Sequence, residues 1–345
     1  MPSIETMAQD IVRCHYRLAL QAEGGSFPLP RGEGQGEGEC LTARIVGASE
    51  NGGPHPTPLP GGEGVKPQTH ESHPQLAAQA AYAACLALDF IKADAQCVAQ
   101  AWQRQTERTG RFDASAWPTE PADFGLQPWP RAEAFAPCPR QLGLYAVLPD
   151  AAWVGRMARA GVPTLQLRFK SPDPQAVQRE VQAAVQAVQG TGALLFINDH
   201  WQAAIQAQAY GVHLGQEDLD GLNRANLTAI RHAGLRLGIS SHGYAEMLRA
   251  DAVNPSYIAM GAVYATTLKR MATPPQGPQR LKMYAQLLRQ HTTVAIGGVD
   301  EARLPEVLAS GVGSVAVVRA LVAAQQPEVQ AQRFQQIIGQ HLQKH

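Results

Sequence analysis

Residues 293–319 read TVAIGGVDEARLPEVLASGVGSVAVVR. Two short apolar runs, 293–298 and 314–319, enclose a helical stretch at 301–310. Each run is nearly all apolar rather than alternating, as expected of a strand covered on both faces. A strand, a helix and a second such strand imply parallel pairing through a right-handed crossover.

The same unit recurs from Leu142 onward. Strands are predicted at 142–148, 164–169, 194–199, 211–215, 236–241 and 257–261, besides the two above. Helical stretches follow at 151–160, 173–189, 201–209, 222–233, 243–250, 281–290, 301–310 and 321–342. Eight strand–helix units within residues 141–345 predict an α/β fold, a small (β/α)8 TIM barrel. A doubly wound open sheet is the alternative. It ordinarily carries a Gly-rich turn after its first strand, and LYAVLPDAAW (144–153) has none.

Reactive groups of such a barrel sit at the C-terminal ends of its strands. Polar residues collect there. Gln166, Arg168 and Lys170 end the second strand, and Asn198 and Asp199 the third. Gln216, Glu217 and Asp218 follow the fourth, and Ser240, Ser241 and His242 end the fifth. Thr266, Thr267 and Lys269 follow the sixth, Gly297–Gly298 the seventh, and Val318–Arg319 the eighth. Gln166, Arg168 and Lys170 alternate with Leu165, Leu167 and Phe169, so they share the face expected to point inward and upward. Buried cations there need anionic partners. Those are either Asp199 or Asp218 in a structural ion pair, or a bound phosphate or diphosphate.

Asp199 and Asp218, on adjacent strand ends with little sulfur or imidazole nearby, suit Mg²⁺ better than zinc. The plainer reading of each is a helix N-cap, since both precede helical runs. Gly297–Gly298 and Gly311–Val312–Gly313 fit the phosphate cradle of such barrels. His213 lies on a strand and reads as a core residue. His242 is placed to meet substrate but is left out of the catalytic set.

The front of the chain is different in texture. Gly and Pro number 32 and 25 in 345 residues, and many fall between Gly24 and Pro67. There PLPRGEG (28–34) nearly repeats as PLPGGEG (58–64). Such a segment has little to bury and is expected to be disordered or loop-like. Residues 76–109 predict two Ala-rich helices broken at Lys92–Asp94. The prolines of 110–140 exclude a helix, and Trp117, Phe124, Trp129 and Phe135 point to a packed strap. The domain boundaries expected are thus a low-complexity extension at 1–75, a helical segment plus strap at 76–140, and a barrel at 141–345.

Lysine plus arginine equals aspartate plus glutamate at 29 each. That balance argues against a surface built for nucleic acid or for an anionic membrane. It hides an asymmetry: residues 141–345 hold 18 basic and 13 acidic side chains. The five cysteines all precede residue 140 and match no zinc spacing. With no secretory leader pattern in MPSIETMAQDIVRCHYRLAL and no long apolar run, a cytoplasmic protein is expected.

The ordered series QLRFK, INDH, GVHLGQED, GISSH, TTLK, QG, IGG and SVAVV closely resembles thiamine phosphate synthase from Leu142 to about Phe334. That resemblance implies a (β/α)8 barrel that joins 4-amino-5-hydroxymethyl-2-methylpyrimidine diphosphate to a thiazole phosphate. The products are thiamine phosphate and pyrophosphate, and the small-molecule substrates leave no role for nucleic acid or membrane. It implies that Gln166, Arg168, Lys170, Asn198, Ser240 and Lys269 meet the pyrimidine diphosphate. Arg168, Lys170 and Lys269 are the catalytic set. By the same resemblance Asp199 and Asp218 are expected to hold Mg²⁺, and Thr266, Thr267, Gly298, Val318 and Arg319 to meet the thiazole phosphate. Four positions depart from the family pattern: the usual PTxTK reads ATTLK, with Ala265 for the proline and Leu268 where a hydroxyl residue is expected, Phe169 stands for a frequent glutamate, and Arg319 for a frequent serine. A thiazole tautomerase of the same barrel and a non-catalytic thiamine-phosphate-binding regulatory protein are the rival readings. A homo-oligomer is left open. Residues 75–105 are also similar to the C-terminal helices of hydroxymethylpyrimidine phosphate kinase. The catalytic elements of that enzyme are absent, so no kinase activity is expected.

Overall fold

The computed structural model describes residues 3–20, 73–266 and 273–343. The Gly/Pro-rich stretch at 24–67 lies outside the described residues. The chain divides into two compact units, Met1–Leu126 and Gln127–His345.

The first unit is helical. Helix α1 spans Ile4–His15, α2 His73–Ala87 and α3 Lys92–Thr109. Ser3 caps α1 by accepting the Thr6 N–H at 3.1 Å. Helix α1 buries Met7, Ala8, Ile11 and Val12 and packs on α2, so the first part of the expected low-complexity extension is an ordered helix. Ala77, Ala80, Ala81 and Ala84 recur at helical spacing on α2 and are fully buried. Their small side chains let α2 and α3 approach closely. The break between the helices falls at Leu88–Ile91 rather than at Lys92–Asp94. There the Phe90 N–H returns to the Cys85 carbonyl at 2.9 Å and Asp89 is left-handed, φ 62°. This is the hydrogen-bond closure that ends many helices, and Lys92 starts the next. Trp117 packs edge-on to Trp102 with ring centroids 5.5 Å apart.

The second unit is a closed barrel of eight parallel strands in sequential order. They are β1 Gly143–Leu148, β2 Thr164–Leu167, β3 Leu194–Asn198 and β4 Gly211–Leu214. The rest are β5 Arg236–Ser241, β6 Tyr257–Met260, β7 Thr293–Ile296 and β8 Ser314–Val317. The barrel closes where β1 pairs with β8, Gly143 opposite Ser314. Helices follow the strands. Two helices are broken where one was expected: a short Gln216–Gly221, not expected, is split from Arg224–His232, which answers to 222–233, and the expected 321–342 is split into Arg319–Val322 and Pro327–Leu342. Pro327 supplies the reason for the second split, because it lacks an N–H and suits a first helical position.

Aromatic side chains fill the barrel interior. Tyr145, Phe196 and Tyr257 are fully buried in one apolar cluster. Two glycines make room for them. A Cβ on Gly211 would lie 2.5 Å from Phe196 Cε1, and one on Gly238 would lie 2.1 Å from Tyr257 Cζ. Residues 127–140 belong to this unit and run past the starts of β6 and β7. The Phe135 N–H donates to the Asn254 carbonyl at 3.0 Å, Ser256 Oγ to the Ala136 carbonyl at 2.6 Å, and Thr292 Oγ1 to the Pro139 carbonyl at 3.2 Å. The proline-rich strap is therefore divided: residues up to 126 go with the helices, and those from 127 with the barrel. The polar rim is left at the opposite, C-terminal end of the strands.

Candidate active site

That rim encloses a cavity of about 740 Å³. Gln166, Arg168, Lys170, Asn198, Asp199, Asp218, Ser240, Thr266, Gly298, Val318 and Arg319 all line it. Eleven residues from seven strand ends thus meet around one space. Thr267 and Lys269, and with them Leu268, lie outside the described residues.

Strand β2 stops at Leu167. Only Gln166 of the expected inward row lies on it. Gln166 is buried, and its Nε2 donates to Asn198 Oδ1 at 2.7 Å, which locks the tips of β2 and β3 together. Arg168 and Lys170 stand in the loop beyond. Lys170 is 57% exposed, so it is not the buried cation that the alternation predicts. A strand only four residues long leaves the alternating row before its cations. Lys170 still has an anionic partner, because Nζ donates to the Asp199 carboxylate. The Arg168 side chain has no partner among the described residues.

Asp199 follows β3 with φ 63°. Its N–H is fixed by the His213 carbonyl at 3.0 Å. It does not cap the next helix, whose N-terminus lacks a side-chain cap. Asp218 does serve a capping role, because its Oδ2 accepts the Gly215 N–H at 2.7 Å. Burial pushes the Asp218 carboxyl above its usual range, and the Asp199 carboxylate adds to this. The Gly215 N–H and Lys170 oppose it. Two carboxyl groups thus crowd one place on the rim. Among the described residues no group of three or more His, Cys, Asp and Glu side chains is arranged to hold a metal ion.

Beneath the rim, His213 is buried with both ring nitrogens engaged. Nδ1 meets the Tyr257 hydroxyl at 2.7 Å and Nε2 meets Ser240 Oγ at 2.8 Å. Burial lowers the imidazole pKa to about 4, against a smaller opposing pull from Asp199. His213 is the core residue its strand position suggests. His242 also lines the cavity, with Nδ1 held by Glu246 Oε2 at 2.6 Å.

On the far side, Gly297 and Gly298 are both left-handed, φ 106° and 63°. A Cβ on Gly298 would lie 2.6 Å from the Ala265 carbonyl oxygen, so glycine is needed for the backbone to pass. Sequence reading missed Arg303. Its Nη1 donates to the Gly298 carbonyl at 2.7 Å while the guanidinium stacks over Tyr264, 4.6 Å from the ring centroid. It lies on the helical side of the seventh unit, where a lone arginine carries no signal. Glu217 lines the cavity as well, beside Asp218.

The chain is similar to known proteins over this barrel. The model of the thiamine monophosphate synthase family matches residues 144–321. A thiamine-phosphate synthase of Neisseria gonorrhoeae is 51% identical over 201 residues, which are 58% of this chain and 97% of that one. One from Enterobacter sp. strain 638 is 48% identical over 205 residues, 59% and 96% of the two chains. The solved thiamine phosphate pyrophosphorylase of Pyrococcus furiosus superimposes with a TM-score of 0.51 at 24% identity, over 59% of this chain and 98% of that one. That last likeness speaks to the fold alone. A family match over more than half of the chain, with relatives about half identical across nearly their whole length, makes this chain a member of the thiamine monophosphate synthase family.

Proposed function

We propose that this chain joins 4-amino-5-hydroxymethyl-2-methylpyrimidine diphosphate to a thiazole phosphate, releasing pyrophosphate. The observation that carries the reading is the meeting of Arg168, Lys170, the Asp199–Asp218 pair and Gly298 around one cavity of about 740 Å³. That volume lies within the range of small-molecule sites.

The reaction breaks the bond between the pyrimidine methylene carbon and the diphosphate oxygen. The electron pair leaves with pyrophosphate, and the aminopyrimidine ring shares the positive charge left on carbon. The thiazole nitrogen then donates its lone pair to that carbon and becomes quaternary. No protein nucleophile is needed. Arg168, Lys170 and Lys269 neutralise the departing polyanion, which is where positive charge lowers the barrier. Gln166, Asn198 and Ser240 hold the pyrimidine diphosphate. Thr266, Thr267, Gly298, Val318 and Arg319 hold the thiazole phosphate, with backbone groups serving at Gly298 and Val318. Held together, the two substrates react as if in one molecule.

The donor set fits a magnesium ion. Mg²⁺ takes one or two carboxylates and completes its shell with water and substrate phosphate oxygens. Asp199 and Asp218 supply two carboxyl groups that line the same cavity, close enough for Asp199 to act on the Asp218 carboxyl. Asp199 and Asp218 would hold the ion, which would neutralise charge on the diphosphate. Residues 76–140 are proposed as a remnant of a hydroxymethylpyrimidine phosphate kinase-type segment.

Incubation of the purified chain with both substrates and Mg²⁺ tests the reading by mass spectrometry of the product. Thiamine phosphate is expected. Its absence, with both substrates recovered intact, would overturn it.

A further inference from the structure

Tyr145, Tyr257, His213 and Ser240 stand in single file from the barrel core to the cavity. The Tyr145 and Tyr257 hydroxyls are 2.7 Å apart, Tyr257 meets His213 Nδ1 at 2.7 Å, and His213 Nε2 meets Ser240 Oγ at 2.8 Å. The two tyrosines are fully buried, His213 is 8% exposed, and the cavity is lined by both His213 and Ser240. Gly238 is what admits the Tyr257 ring, since any Cβ there would overlap it.

Counting hydrogens gives this file a direction. With a neutral imidazole the four groups carry four hydrogens, and the three links use three of them. The fourth either leaves the file at one end or stays on Tyr257, whose oxygen would then accept from both neighbours and whose own buried hydrogen would be orphaned. At the inner end it would sit on Tyr145, whose hydroxyl has only Tyr257 as partner among the described residues and lies among Phe196, Val147 and other apolar side chains. An orphaned buried hydroxyl is costly. At the outer end the hydrogen points from Ser240 into the cavity. An imidazolium would donate from both nitrogens, turn Tyr257 around and again orphan Tyr145. The only arrangement that leaves no buried donor unpaired runs from Tyr145 to Tyr257, then to His213 Nδ1, and from His213 Nε2–H to Ser240.

We infer that Tyr257 and His213 are positioning residues that hold Ser240 as a hydrogen-bond donor toward the substrate, so that the substrate atom it meets is an acceptor. For a diphosphate of an aminopyrimidine the atom that receives the Ser240 hydrogen is a ring nitrogen or a phosphate oxygen, not the exocyclic amine. The inference rests on the function proposed above and sharpens the role of Ser240 in it.

Two measurements test it. The first is nitrogen NMR of the full chain labelled with ¹⁵N-histidine, with the His213 signals assigned by their loss in His213→Gln and their shift in Tyr257→Phe. The proton is expected on Nε2, with Nδ1 unprotonated. A proton on Nδ1, or on both nitrogens, overturns the inference. The second compares Tyr257→Phe, Ser240→Ala and the double variant in steady-state turnover. Tyr257→Phe is expected to raise KM for the pyrimidine diphosphate by about tenfold, the size of one lost hydrogen bond. It is expected to do so with a smaller change in kcat and with no further loss on the Ser240→Ala background. Additive losses would mean that Tyr257 merely supports the core, and would overturn the positioning role. If the wild-type chain releases no pyrophosphate, the proposed function falls while the tautomer result still reads the direction of the file. If it turns over and the proton sits on Nδ1, only the positioning role falls.

Discussion

Lys170 Nζ and the Asp199 carboxylate form an ion pair that joins the loop after β2 to the end of β3. Lys170 is more than half exposed, so the pair adds at most about 1 kcal/mol to stability. Its value lies in placing a cation beside the carboxylates. Lys170→Ala is expected to lower kcat for pyrophosphate release by about 100-fold, the usual effect of removing one group that stabilises developing charge. The denaturation midpoint should hardly move. A large loss of stability with unchanged kcat would assign the pair to structure instead.

Gln166 and Asn198 present the opposite case. Both are buried, and Asn198 Oδ1 is the partner of the Gln166 amide. Asn198→Ala leaves that amide unpaired, which costs about 1–3 kcal/mol. Urea unfolding should show this loss alongside weaker binding of the pyrimidine diphosphate.

Gly298 offers a prediction about the other substrate. Its φ of 63° and the nearby Ala265 carbonyl leave no room for a methyl group. Gly298→Ala must shift the β7 loop, at a cost of about 1–3 kcal/mol. The KM for the thiazole phosphate should rise well above that for the pyrimidine diphosphate. Equal changes in the two would separate Gly298 from the thiazole side.

Buried His213 makes stability depend on pH. Its folded pKa of about 4 lies below the ordinary 6.5, so the unfolded chain binds a proton that the folded chain refuses between those values. The stabilisation from the neutral ring is fully present above pH 6.5 and is lost as pH falls toward 4, by about 3 kcal/mol over the window. Chemical denaturation at pH 7.5 and pH 5 should reveal the slope, and His213→Gln should flatten it.

Much of this architecture was legible because a parallel barrel has a plain signature. Apolar runs such as SVAVV recur with helices between them, and polar residues collect chiefly at the C-terminal end of the runs. The strand period was less reliable at β2. Alternation continued in the sequence through Lys170, but pairing to β3 ends at Leu167, so the outer cations sit in a loop. Arg303 was invisible because its role depends on where the β7 loop folds back. The hydrogen-bonded file of Tyr145, Tyr257, His213 and Ser240 joins four strands, and no local pattern encodes that. The helix break at Leu88–Ile91 was misplaced for a similar reason. It is set by a backbone closure onto Cys85 rather than by the charge change at Lys92.

The most direct test of the account is pyrophosphate release by the purified chain, measured with both substrates and Mg²⁺ and repeated with Asp199→Ala. One pyrophosphate for each thiamine phosphate formed is expected, with none when the pyrimidine diphosphate is omitted and loss of turnover in the variant. Full activity of Asp199→Ala, or no pyrophosphate from the wild-type chain, would contradict it.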